Sequence, residues 1–365
     1  MSSGSSAEPA PDAKAATDSA MAPSIYDRIW RHTKLYQNDD NPVIQGLEFT
    51  GRFQLDYTIM DHDDFRELDI RRFRVGVKAK LLQQFEIHTE VDLAPDQDPV
   101  YTRLTDAYLA WHPREALEFT IGKRAAPFTL DGSTSSKELL TVDRANLANN
   151  LWFPQEYIPG LTISGKPAHW RYLFGVYSSG SANREFGKFD GKYFALASLG
   201  YDFAQRPRVP EALLGVDYVH NEPDARNTFT RPLEHVGSLH FKFDAGRWGF
   251  RTDVSGGIGY LGQSDLWGTM FMPYYQITRR LQVVGRYTFL RSADDNGLRF
   301  ARYENLIVSG RGDEYQEFYA GLNYYFYGHK FKVQTGVQHA EMRDRADDGG
   351  QYSGWAWTLG LRISW

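Results

Sequence analysis

The chain of 365 residues contains no cysteine. A disulfide framework and a thiolate metal site are therefore both excluded. Long hydrophobic runs are also missing, because no stretch approaches the ~20 consecutive apolar residues of a transmembrane helix. The mean hydropathy of -0.51 is low, but a chain in which apolar and polar residues alternate would give such a value as well.

An excess of basic residues is absent too, and the formal net charge is -5. A general nucleic-acid partner is not expected, since neutralising phosphates needs a basic face. Catalytic motifs are missing: there is no Gly-x-Ser-x-Gly elbow, no His-Glu-x-x-His helix and no glycine-rich phosphate loop. The ten histidines are scattered. The sequence therefore predicts no enzyme, no cofactor and no metal site.

Carboxylates cluster at 61–64, 294–295 and 347–348, in segments without strand patterns. They could hold Ca²⁺ or bridge external phosphate groups through divalent ions. No spaced Ca²⁺-loop motif is present, so solvated loop charge is the preferred interpretation.

Aromatic residues are abundant, at 15% of the chain. In the last segment every odd position is apolar and the even positions are small or polar, which places these side chains on one strand face: Trp355, Trp357, Leu359, Leu361, Ile363 and Trp365. Something apolar must cover this face. A second sheet would do so in a soluble sandwich, and lipid would do so in a transmembrane barrel.

Similar alternation recurs along the chain in about sixteen segments long enough to be tilted barrel strands. Their limits are 47–60, 67–82, 83–94, 103–112, 117–128, 160–167, 169–180, 192–204, 211–221, 235–245, 247–261, 265–278, 279–291, 314–327, 330–342 and 352–365. Short and long connections alternate between them, and the third long one, 129–159, is the longest. This alternation is typical of periplasmic turns and extracellular loops. It favours a membrane barrel over a soluble sheet, which would aggregate if it exposed such faces.

The predicted fold is an all-β transmembrane antiparallel β-barrel of about sixteen strands. Three regions divide the sequence: a disordered N-terminal arm at 1–23, a short amphipathic helix and linker at 24–40, and the barrel at 45–365. The helix is expected to run from Ser24 to Tyr36 because Ile25 and Ile29, and Tyr26 and Trp30, have four-residue spacing. No signal peptide is visible in the sequence.

A family resemblance rests on several segments that follow one another in order, namely 51–57, 71–80, 86–92, 104–110, 120–128 and 134–137. In these segments the chain resembles the phosphate-selective porin O/P family of bacterial outer-membrane porins. The resemblance implies a homotrimeric channel of sixteen strands in the outer membrane, whose long third loop folds inward and narrows the pore. Its partners would be outer-membrane lipid or lipopolysaccharide and small hydrophilic solutes or anions.

Strand parity predicts which residues line the pore. Phe73, Val75 and Val77 share one face of the second strand, and the basic residues share the other. If the first face meets lipid, the second faces water. The same reasoning on other strands gives the candidates for pore lining and anion contact: Arg52, Arg72, Arg74, Lys78, Lys80, Arg124 and Arg286.

Acidic residues with the same parity nearly balance these cations, among them Glu48, Asp56, Glu86, Glu90 and Glu317. The balance favours a general porin for passive diffusion of small hydrophilic solutes and ions. Anion or phosphate preference, a channel specific for another solute, and a plugged structural or adhesion barrel stay open as alternatives. Glycines on the lumen face, such as Gly175, Gly215 and Gly321, are expected to leave space and so favour an open channel.

The long third connection carries the constriction-loop candidates, which are Lys137, Arg144, Asp131, Glu138 and Asp143. Its Ser135 and Glu138 have the spacing of a capping box, in which each side chain satisfies a backbone amide at a helix start. A short helix from Ser135 through about Asn146 is expected. Cations and carboxylates are mixed in this loop, which argues against a purely basic constriction.

Overall fold

The computed structural model describes residues 23–151, 157–180, 185–204, 208–227 and 230–365. Seventeen strands are present in this described part: β1 Lys34–Gln37, β2 Ile44–Met60, β3 Arg66–Leu81, β4 Phe85–Leu93, β5 Tyr101–Arg114, β6 Leu117–Ala125, β7 Tyr157–Gly165, β8 Trp170–Ser178, β9 Tyr193–Asp202, β10 Glu211–Asn221, β11 Leu233–Ala245, β12 Trp248–Gly259, β13 Leu266–Gln276, β14 Leu281–Ser292, β15 Glu314–Tyr327, β16 Phe331–Arg343 and β17 Tyr352–Ser364. Four short helices accompany them: α1 Ile25–Arg31, α2 Leu130–Ser133, α3 Asn146–Leu151 and α4 Glu304–Ile307.

Strands β2 to β17 form one closed antiparallel barrel. Each pairs with its neighbour along the chain, and β17 returns to β2 with Trp357 opposite Ile59 and Ile363 opposite Phe53. Closure leaves no open edge in the barrel wall. The prediction of a sixteen-stranded transmembrane barrel is confirmed, and each predicted strand overlaps an observed one.

The predicted extent of the N-terminal helix is wrong. Helix α1 ends at Arg31, and the residues after it form β1, in which Lys34 pairs with Glu48 of β2. Strand β17 pairs with β2 only from Arg52 onward, so the first part of β2 offers backbone groups that β1 can bond. That pairing outweighs continuation of the helix. The predicted arm at 1–23 lies outside the described residues except for Pro23.

Helix α1 packs at the end of the barrel where the short turns and the C-terminus lie. Ser24 and Asp27 form a capping box at its start. Trp30 Nε1 donates to the carbonyl of Ser364 at 2.6 Å, and the Tyr26 ring stacks on Tyr327 at 5.6 Å between centroids. The described helices include none with the length and apolar character needed to cross a membrane.

The two faces of the wall differ as strand parity predicts. Side chains pointing outward are apolar and exposed, for example Val77 at 42% and Phe318 at 57%. Side chains pointing inward are polar, and many are fully covered: Arg74 is 1% exposed and Lys332 is 0% exposed. The cover comes from two loops that fold into the barrel, so the packed core of this chain lies inside the lumen.

Candidate pore constriction

The first of these loops, L3, is residues 126–156, with 126–151 described. It enters the barrel after β6, and two carboxylates of the opposite wall accept its first helical amides. The Thr129 amide donates to Asp217 Oδ2 at 3.0 Å, and the Leu130 amide donates to Asp253 Oδ2 at 2.9 Å. Negative charge at the start of α2 also suits the helix dipole.

The expected helix from Ser135 through about Asn146 is wrong. Helices α2 and α3 flank this segment instead. The Ser135 hydroxyl accepts from the Lys137 amide at 3.3 Å, two residues on, and the Ser135 carbonyl accepts from the Glu138 amide at 2.8 Å. Serine side chains often stabilise such turns in place of a helix cap.

Side chains of the wall hold the extended part of L3 by its backbone carbonyls. Gln54 donates to Ser136 O at 2.9 Å, and Lys332 and Gln334 both donate to Leu139 O, at 2.6 and 3.0 Å. Asn323 donates to Leu140 O at 2.8 Å. Arg362 donates to Val142 O at 3.0 Å, and Arg286 donates to Asp143 O at 2.8 Å. These donors come from β2 and from β14 to β17. One side of the barrel therefore fixes the path of the loop across the lumen.

Arg286, one of these donors, makes three hydrogen bonds. Its Nε donates to Glu317 Oε1 at 2.7 Å, and its Nη1 donates to the Thr141 hydroxyl at 2.9 Å as well as to Asp143 O. The guanidinium also lies 5.1 Å from the centroid of the Tyr319 ring. Its side chain is only 2% exposed and that of Glu317 is 1% exposed. Arg286 thus positions the loop and does not face the solute path.

Three other predicted pore residues, on β2 and β3, are also buried and bonded to the wall or the loop. Arg52 donates to the Ser136 hydroxyl at 2.8 Å and pairs with Glu90 at 3.0 Å. Arg72 donates to Gln54 Oε1 at 2.9 Å, and Arg74 pairs with Asp92 at 3.3 Å. The structure brings these three cations together behind L3.

The remaining predicted cations are partly or fully exposed: Lys78 and Lys80 lie near the short turn after β3, and Arg124 lies near the L3 end of β6. Lys78 is half-buried and pairs with Glu86 at 2.9 Å. Lys80, two residues further along β3, is exposed. Arg124 on β6 pairs with Glu118 at 3.2 Å. These cations are the ones that a passing solute could meet.

The constriction-loop candidates have separate places. Lys137 Nζ donates to the carbonyl of Trp365 at 3.2 Å, and Arg144 donates to the carbonyls of Asp131 and Thr134 at 3.0 and 2.7 Å. The Asp131 carboxylate accepts from the Ala145 amide at 2.6 Å, Asp143 pairs with Arg71 at 3.3 Å, and Glu138 is exposed. Most of them therefore hold the loop in shape.

The Asp143 carboxylate is ionised at neutral pH. Burial acts to raise its pKa, but the guanidinium groups around it, first among them that of Arg71, hold the pKa below its usual range. A carboxylate among arginines keeps this part of the lumen close to electroneutral.

A second inward loop was not predicted. L7, residues 293–313, packs against L3: the amides of Asn146 and Asn150 donate to Arg299 O at 2.9 and 3.0 Å. Leu298 and Phe300 are 0% and 1% exposed. Apolar residues inside a long connection between two strands are the signal that could have indicated this packing.

The glycines of the lumen face do not leave the space that was expected. A Cβ on Gly321 would lie 2.6 Å from the Tyr319 hydroxyl, and one on Gly215 would lie 2.2 Å from His240 Nε2. Large side chains of the same or the next strand thus lie over the glycines. The glycines make room for wall side chains and not for solute.

Glu304, in α4 of L7, is expected to make the stability of the folded chain depend on pH. Its carboxyl is 1% exposed and accepts from Gln338 at 2.6 Å, and burial raises its pKa to about 7. An unfolded glutamate has a pKa of about 4.3, so the unfolded chain releases this proton first as pH rises. The folded state is therefore expected to lose stability between about pH 4.3 and about pH 7, and to level off above that range.

Replacing Glu304 with Gln should remove this loss. We expect the variant and the wild-type protein to unfold alike at pH 4, and the variant to be more stable at pH 8 by on the order of 3 to 4 kcal/mol. Denaturant unfolding of the reconstituted barrel at both pH values measures the difference. Glu138→Gln, at an exposed site of L3, is the control. An equal gain for the two variants at pH 8 would contradict the assignment to Glu304.

A closed barrel with an apolar outer face, a charged inner wall and inward-folded loops defines the class of transmembrane β-barrel channels. The sequence profile described as "Phosphate-selective porin O and P" matches residues 47–228. This match confirms the resemblance to that porin family found in the sequence motifs. The chain is an outer-membrane porin that forms a channel for passive diffusion.

Solved structures with the same fold have low sequence identity. The anion-selective porin from Comamonas acidovorans is 11% identical to this chain, with a TM-score of 0.59. The alignment covers 87% of this chain and 99% of that porin. Salmonella typhi OmpF in complex with daunomycin is 12% identical with a TM-score of 0.63, covering 91% and 100%. The trimer form of Vibrio cholerae OmpT is 12% identical with a TM-score of 0.54, covering 87% and 99%. No curated protein matches the sequence.

Proposed function

We propose that the chain is a general diffusion porin with weak ion selectivity and no dedicated phosphate site. The observation that carries the proposal is the pairing of its lumen cations. Arg52, Arg74 and Arg286 each contact a carboxylate within 3.3 Å and lie buried behind L3. A phosphate would have to displace these carboxylates and the loop to reach the guanidinium groups. Each displaced carboxylate would then be a buried charge without its partner, which is strongly unfavourable.

A preference for anions is the second candidate. Lys80 is exposed on the lumen face and Lys78 lies beside it on the same strand, so water near the turn end of the barrel meets positive charge. One structural neighbour is named as an anion-selective porin. A few exposed cations would bias ion passage without binding phosphate tightly.

Reversal potential and phosphate titration separate the two candidates. The barrel is inserted in a planar bilayer under a KCl gradient, and inorganic phosphate is then added. The general porin predicts a small reversal potential and currents that phosphate does not block. Block by micromolar to millimolar phosphate would contradict the proposal and favour a phosphate-selective channel.

The proposed working form is a homotrimer in the bacterial outer membrane, where lipid and lipopolysaccharide contact the apolar outer wall. The porin fold of a neighbour in trimer form supports the oligomeric state. We propose no catalytic activity and no cofactor, since passive diffusion requires no chemical step.

A further inference from the structure

A group of metal-ligand side chains lies at the loop end of the β10–β11 hairpin. We infer that His220, Glu234 and His235 form a binding site for a divalent transition metal of the Zn²⁺ type. One ligand atom from each residue lies within 4.8 Å of the others. All three side chains are half-buried, so an ion could reach them from solution.

The hairpin register brings the two histidines together. His220, one residue before the end of β10, is the cross-strand partner of His235. Their rings stack with 5.1 Å between centroids and 29° between planes. Directly opposite residues of an antiparallel pair have Cβ atoms about 5 Å apart, which is close enough for two imidazoles to share one ion.

An irregularity in β11 adds the carboxylate. The pairing of β11 with β12 shifts between Leu233 and His235, so Glu234 has no cross-strand partner there. In a regular strand, Glu234 and His235 would point to opposite faces. A bulge changes the direction of the extra side chain, and Glu234 Oε1 lies 3.5 Å from His235 Nε2 as a result.

A neighbouring tyrosine orients one of the histidines. The Tyr218 hydroxyl lies 2.8 Å from His235 Nδ1. When Nδ1–H donates to the hydroxyl oxygen, the Nε2 lone pair is left to bind metal, as the second hydrogen bond of ligating histidines usually ensures. Glu222 Oε2 lies 3.7 Å from His220 Nε2 and supplies a second carboxylate next to the group.

The donor set selects the metal. Two imidazole nitrogens and a carboxylate suit Zn²⁺, Co²⁺ or Ni²⁺, whereas Ca²⁺ and Mg²⁺ take six or more oxygens or keep their water. In a tetrahedral zinc site with bonds of about 2.0 to 2.2 Å, the ligand atoms lie closer to one another than in this group, where they lie within 4.8 Å. Small side-chain rotations at the exposed end of the hairpin can close this difference, and water can complete the coordination.

Calorimetric titration of the untagged barrel in detergent with Zn²⁺ tests the site. We expect one ion per chain, no competition from millimolar Ca²⁺ or Mg²⁺, and affinity reduced by about tenfold or more in His220→Gln and in His235→Gln. Glu234→Gln should weaken binding without changing the two nitrogens. The Co²⁺ complex should show the intense visible absorption of a tetrahedral site in wild-type protein and lose it in the histidine variants.

His339→Gln is the matched control, because His339 lies beside Glu341 at 3.9 Å on β16 without belonging to the group. It should bind Zn²⁺ as wild-type protein does. Equal Zn²⁺ affinity in wild-type protein and in folded His220→Gln and His235→Gln variants would overturn the site, as would binding of Ca²⁺ at the same place. The barrel circular dichroism spectrum verifies that each variant is folded.

Discussion

Replacing Arg286 with Ala is expected to loosen L3 at Thr141 and Asp143 and to raise the single-channel conductance and its noise. The change removes the donor to Thr141 and Asp143 and leaves Glu317, at 1% exposure, as a buried charge without its cation. Loss of one partner of a buried pair costs about 3 to 5 kcal/mol. Single-channel recording in a planar bilayer measures the conductance, and denaturant unfolding measures the stability.

A second variant separates loop release from misfolding. Arg286→Met combined with Glu317→Gln removes both charges, which is often tolerated in protein interiors, but still deletes the bonds to the loop. The control is Arg251→Met with Asp244→Asn, since this pair at 2.6 Å joins β11 and β12. Conductance should rise in the Arg286 double variant alone. An unchanged conductance in that folded variant would show that the bonds from Arg286 do not hold the constriction.

Replacing Lys80 with Glu is expected to shift the ion preference toward cations. Lys80 is exposed in the lumen, and Glu86 is its register partner on β4, so the variant turns a mixed patch acidic. In a tenfold KCl gradient we expect a change in reversal potential on the order of 10 mV, against a limit of about 59 mV for a fully selective channel. High salt should reduce the effect by screening.

Lys166→Glu is the matched control for this prediction. Lys166 is also exposed, but it lies in the turn between β7 and β8 and outside the strands. It changes the net charge by the same amount as Lys80→Glu. Equal shifts for both variants would remove Lys80 from the solute path and assign the effect to overall surface charge.

The barrel could be predicted from the sequence because its strands are two-sided. In β17, Trp355 to Ile363 face outward at alternate positions, and barrel strands such as β10 and β15 show the same alternation. The alternation can be recognised within a single strand, so predicting the strands requires no knowledge of tertiary contacts. Parity also predicted that Arg52, Arg74 and Arg286 face inward, and in the structure all three are buried and contact carboxylates.

The roles of the inward residues could not be predicted in the same way. Whether Arg286 meets solute or a loop depends on the path of L3, which long-range bonds to several strands decide. Ser135 is an example, because a serine hydroxyl can stabilise either a helix start or a turn, and the sequence alone does not distinguish the two. The sequence could have indicated that the proposed metal ligands lie close together, because His220 and the Glu234–His235 pair flank a single loop. It could not have indicated the bulge in β11 that turns Glu234 toward His235, because that bulge is a tertiary feature.

Swelling of proteoliposomes in neutral sugars of increasing size tests the central claim most directly, because it detects an open water-filled path without relying on ion charge. The account predicts that liposomes containing the folded barrel swell, that the rate falls as the sugar becomes larger, and that the Arg286→Met, Glu317→Gln variant admits larger sugars. Absence of swelling with correctly folded barrels would contradict a diffusion channel and indicate that L3 and L7 plug the lumen.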